Sequence, residues 1–78
     1  MPDLDTELEH LTEANRHISE ARIRITEFAQ RMRDGGLSSS KEQAVALLET
    51  MRSTLDAFEE HRAFILEAIA DIKTERTP

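Results

Sequence analysis

Apolar residues return at every seventh position along most of this chain, and that repeat narrows the folds open to it. Leu4, Leu11, Ile18, Ile25 and Met32 make one row. Ala14, Ala21 and Phe28 fall between them, and Leu8 stands one residue past Glu7, where that second row would begin. No Gly or Pro interrupts the run from Leu4 to Met32. Spacings of three and four held over about four heptads turn a narrow apolar stripe toward a partner helix. Beyond residue 40 the pattern resumes. Ala44, Met51, Phe58, Ile65 and Ile72 recur at seven, with Leu48, Leu55, Arg62 and Ile69 on the alternate row.

The two rows fit each other. In an antiparallel helical hairpin the numbers of facing residues have a constant sum. Leu4 with Ile72, Leu11 with Ile65, Ile18 with Phe58, Ile25 with Met51 and Met32 with Ala44 all sum to 76. Phe28 with Leu48 and Ala21 with Leu55 do the same. Each a position of one helix thereby meets a d position of the other, as knobs-into-holes packing requires. The midpoint, residue 38, lies in Asp34-Gly35-Gly36-Leu37-Ser38-Ser39-Ser40, the one interior break. The predicted fold is all-α: two long antiparallel helices, a coiled-coil-like hairpin, with helix 1 about 4–33, a turn at 34–39 and helix 2 about 40–75.

Local signals agree with those ends. Pro2 and Asp3 suit a first turn, and Thr6 with Glu9 has the spacing of a capping box. Arg31 and Arg33 complement the negative end of helix 1, and Gly35 or Gly36 can take the left-handed residue that ends it. Ser39 with Glu42, or Ser40 with Gln43, would cap helix 2.

The seam leaves apolar residues over. In helix 2, Leu47, Ala57, Phe64 and Ala68 form a second stripe, and Leu66 lies outside the seam as well. A single hairpin would hold Phe64, and either Leu66 or Leu47, in water. A wide apolar face asks for another helix. At 78 residues, with no cysteine for a disulfide, a lone hairpin has little core to stabilise it. We therefore expect a homodimer forming a four-helix bundle, with Leu47, Phe64, Leu66 and Ala68 at its interface.

Charge narrows the partners. Sixteen acids against ten bases give a net −6, which opposes phosphate backbones and anionic lipid surfaces alike. Neither nucleic acid nor a membrane is an expected partner. No apolar run approaches the ~20 residues of a transmembrane helix. The opening Met-Pro-Asp-Leu-Asp-Thr-Glu lacks the features of a secretory signal, so a soluble cytoplasmic protein is expected. The bases gather toward the turn, where Arg22, Arg24, Arg31, Arg33 and Lys41 lie. Completion of the helix 1 dipole accounts for that better than a docking tip for an acidic partner.

Few residues carry chemistry. Arg62 occupies a seam position opposite small Ala14. Its stem can pack while its guanidinium reaches an acid such as Glu59 or Glu13, making it a polar lock on the register. Glu7 is expected in solvent, with Leu8 taking its place in the seam. His10, His17 and His61 flank the seam at g positions, which places His17 near His61, with Glu13 one turn before His17. Glu13, His17 and His61 are thus the candidate ligands of a metal-binding bundle, the alternative reading. Glu7 with His10 repeats the Glu-x-x-His spacing of di-metal bundles, but the remaining inward glutamates are missing. No metal or other cofactor is expected. No nucleophile, base and orienting group fall into a catalytic pattern, no Gly-rich phosphate loop is present, and capping explains the serines, so the chain reads as a non-enzyme.

Asn15-Arg16-His17-Ile18-Ser19-Glu20-Ala21, Ala46-Leu47-Leu48-Glu49-Thr50-Met51, Glu60-His61-Arg62 and Ile65-Leu66 resemble short uncharacterised bacterial proteins over most of the chain. The resemblance implies two helices joined through a Gly-containing turn. It carries no activity and no functional residues. Small secreted Trp-x-Gly hairpin proteins share the architecture, but this chain has no Trp. Ser53-Thr54-Leu55-Asp56 is one residue short of the Ser-Gln-x-Leu-Asp of sporulation-regulating hairpins, and Leu55 is already a seam residue. The expected function is protein–protein interaction or oligomerisation, as a small regulator or adaptor with itself and an unidentified protein as partners.

Overall fold

In the computed structural model, residues 3–35 and 41–76 are described. They form α1, Leu4–Asp34, and α2, Lys41–Arg76. At ~1.5 Å per residue these helices are about 46 and 54 Å long, and the molecule measures 59 × 15 × 15 Å. The helices pack antiparallel: Asn15 meets Arg62, while Arg22, further along α1, meets Glu59, earlier in α2. The numbers of the Asn15–Arg62 pair sum to 77, and those of the His17–Phe58 ring pair to 75. Both lie within one of the value read from the heptads.

α1 starts at Leu4, as expected, but its cap is Asp3 and not Thr6. Asp3 is extended, at φ −106° and ψ 161°, and its Oδ1 accepts from the Thr6 backbone N–H at 2.8 Å. The Thr6 hydroxyl donates to Asp3 Oδ2 at 3.2 Å. The pairing of Thr6 with Glu9 is therefore replaced by one of Asp3 with Thr6. A carboxylate is as good a cap as a hydroxyl, and Asp3 stands immediately before the first helical residue, Leu4. At the other end Gly35 takes φ +70°, and its N–H turns back to the Arg31 and Met32 carbonyls. Only glycine adopts that left-handed backbone without cost. Gly36 and the serine caps expected for α2 lie outside the described residues.

The core is narrow. Ala14, Ile18, Ala44, Ile65 and Ile69 are buried, all of them at seam positions. Ala14, Ile65 and Ile69 cluster with half-buried Leu4 and Leu11 near the end that holds the termini. The rest of the seam is half-buried, since two helices cannot enclose what lies between them. One expectation is reversed here. The Glu7 side chain is only 12% exposed and lies 3.7 Å from His10, whereas Leu8 is 42% exposed. Leu4, Leu11 and Ala14 fix the phase of α1, and at 3.6 residues per turn that phase puts position 7 in the seam and position 8 beside it.

The shape leaves an excess of surface. A compact protein of 8.9 kDa would expose about 4,800 Å². This hairpin exposes 6062 Å². Its radius of gyration is 17.5 Å, against roughly 11–12 Å for a compact domain of the same length.

Candidate functional site

The seam divides the hairpin into two flanks. On the first, built from the e positions of both helices, Arg62 Nε donates to Asn15 Oδ1 at 2.6 Å and Arg22 Nη2 to Glu59 Oε1 at 3.2 Å. Arg62 thus stays half-buried in the seam, as its stem allows, but its partner is an amide and not an acid. The two acids expected to receive it are bound elsewhere: Glu59 by Arg22, and Glu13 by Arg16 at 2.7 Å. Asn15 lies on the same flank as Arg62, one position from Ala14, and that adjacency decides the pairing.

The second flank is built from g and c positions, and it carries the extra stripe. Leu47 is 49% exposed and Phe64 61%. Ala57 is exposed and Ala68 half-buried beside them. Leu66, at 39% exposure, is not part of this surface. It follows Phe64 by two residues, or about 200° around the helix, and so faces the first flank. The four residues expected at one interface therefore divide three to one. Leu47 and Leu66 are both in water, where only one of them was expected. Ile23 and Val45 are exposed as well, Ile23 on the outermost face of α1.

Between the helices on the second flank lies a groove of about 300 Å³. Ala21 and Met51 form its floor, the His17 and Phe58 rings one end, and Glu20, Arg24, Thr50 and Thr54 its rim. The rings are 5.3 Å apart between centroids and tilted by 31°. Thr50 and Thr54 read as polar in the sequence, but their hydroxyls donate to backbone carbonyls one turn back, Ala46 O at 3.1 Å and Thr50 O at 3.0 Å. Each hydroxyl is thereby satisfied within α2 itself.

The histidine cluster does not assemble. His17 Nε2 lies 3.8 Å from Glu13 Oε2, but among the described residues no three His, Cys, Asp or Glu side chains form a group that could hold a metal ion. Glu13, His17 and His61 are thus not brought together as a group of three. Glu13 belongs instead to a ladder along α1, in which Arg16 bridges Glu13 at 2.7 Å and Glu20 at 3.1 Å. The Arg16 guanidinium, by its hydrogen bond and then by its charge, holds the Glu13 carboxyl below its ordinary range. Glu13 raises Arg16 in return. Among the described residues no helix is long and apolar enough to cross a membrane. What the second flank offers is an apolar hollow with one carboxylate and one guanidinium at its rim, suited to receiving a bulky apolar group. No known protein family, no curated protein and no solved structure matches the chain.

Proposed function

We propose that the chain is a non-enzymatic helical-hairpin module that works by protein–protein contact, first of all with a second copy of itself, as a small regulator or adaptor. One observation carries this reading. The hairpin exposes roughly 1,200 Å² more than a compact protein of its mass, and Phe64 and Leu47 stand out from that surface. A stable interface takes about 800 Å² from each partner, so the excess is of the size that one dimerisation covers. Membership among short bacterial hairpin proteins, expected from the sequence, would fit this role and add no activity to it.

Light scattering on the purified chain at micromolar concentration tests the proposal. The expected mass is that of two chains, falling toward one on dilution. A mass of one chain throughout the micromolar range overturns it.

A further inference from the structure

We infer that the second copy docks antiparallel along α2, with the two-fold axis beside Ala57 and Phe64 of each chain seated among Leu47, Thr50 and Thr54 of the other. This rests on the self-association proposed above and adds to it the orientation and the contact.

The stripe has one protrusion and one hollow. Phe64 is the most exposed of the large apolar side chains, and the groove is rimmed by Thr50 and Thr54. Within one chain they cannot meet, because ten to fourteen residues of straight helix hold them about 15–21 Å apart. A two-fold axis brings them together only if knob and hole lie equally far from it on opposite sides. Thr50 and Phe64 lie seven residues to either side of Ala57. Alanine is the small side chain that lets two helix backbones approach at such a crossing. The same axis sets Asp71 opposite Gln43, an acid against an amide.

The parallel arrangement fails on the same residues. It would oppose Asp71 to Asp71 and His61 to His61, stack Phe64 on Phe64 and leave both grooves empty. Like charges directly opposed across helices cost stability. α1 contributes Glu20 and Arg24 to the rim of the groove, so α2 packs against α2 along the stripe and each Phe64 meets the edge of the partner's α1 only at that rim.

The chain contains no cysteine, so single introduced thiols report the geometry without interference. Disulfides need Cα atoms within about 7 Å. Under mild oxidation the A57C variant should cross-link to a dimer at least about ten times faster than F64C, whose two sites would be about 21 Å apart. A mixture of T50C and F64C chains should form the mixed dimer. Phe64→Ala, which leaves the seam untouched, should weaken association at least about a hundredfold, since two copies are lost per dimer. A two-chain mass combined with faster linkage of F64C than of A57C overturns the orientation and leaves self-association standing. Unchanged association of F64A, or no linkage by any variant in a two-chain species, does the same. A one-chain mass for the parent protein overturns both.

Discussion

Along one flank of the hairpin Arg62 crosses to Asn15 and Arg22 to Glu59; along the other, the helices part around a groove and Phe64 projects beyond it. The first flank uses its polar groups on its own partner helix and so tightens the fold, although Leu8, Val45 and Leu66 stay exposed along it. The second satisfies Thr50 and Thr54 within α2 itself. Across the seam there the His17 and Phe58 rings meet, and an apolar surface remains. One seam therefore supports a flank that closes the molecule and a flank that opens it. In a chain with so small a core, assignment of flanks determines what is available for function.

The sharpest break in this comparison comes from the seam on which both flanks depend. Ile65 is buried at the centre of the core cluster. Ile65→Ala should cost about 2–5 kcal/mol, a large share of the 5–15 kcal/mol typical of whole domains. Thermal unfolding followed by circular dichroism should show a large drop in midpoint, with both flanks lost together. A retained midpoint would mean that the helices are held from outside the seam.

Next in size is a charge placed on each flank in turn. Phe64→Glu should yield a one-chain mass by light scattering, because it removes the apolar knob and sets a second carboxylate beside Glu20 at the rim of an apolar groove. Leu66→Glu, two residues away and on the other side of α2, should leave the two-chain mass unchanged. Equal effects from the two would erase the distinction between the flanks.

The seam, the hairpin and the stripe of Leu47, Ala57, Phe64 and Ala68 were legible in the sequence because they follow from helical period alone. Other features depend on choices that period does not make. Leu8 is the more hydrophobic of its pair, but helical phase puts position 7 in the seam, and Glu7 has methylenes enough to occupy a seam edge. Asp3 displaced Thr6 as the cap because two capping geometries competed within one turn. The partner of Arg62 depended on which acids other arginines had already bound. Leu66 and Phe64 are both exposed, yet two residues of helix turn them to opposite sides of α2, which apolar content alone does not register. That the hydroxyls of Thr50 and Thr54 are taken up by carbonyls one turn back is a side-chain choice that period does not make either.

A smaller effect probes the closing flank. Arg62→Ala should cost on the order of 1 kcal/mol in urea unfolding, through the lost hydrogen bond and lost stem packing. Arg62→Leu should recover that loss or exceed it, since an apolar side chain of similar reach suits a seam position. If Leu proves as damaging as Ala, the guanidinium contributes more than register, and the link to Asn15 is the reason to examine next by a double-mutant cycle.

The smallest effect separates charge within a helix from charge across the hairpin. Arg16 holds the Glu13 carboxyl below its reference value of 4.5. A carboxyl depressed in the folded state contributes stability above its unfolded value and loses it as pH falls through the lower folded value. Both side chains are more than half exposed, so salt screens the pair and its share of stability is small. Arg16→Ala should therefore return the Glu13 titration, followed by carbon-detected magnetic resonance, toward 4.5, while the unfolding midpoint at neutral pH barely moves. The Glu13–Arg16–Glu20 ladder runs along α1 and never crosses to α2, so removing it loosens no contact between the helices. Arg22→Ala removes a cross-helix pair of comparable exposure, and its midpoint should fall further than that of Arg16→Ala. If the two fall equally, crossing the seam brings no advantage, and the closing flank is closed by packing alone.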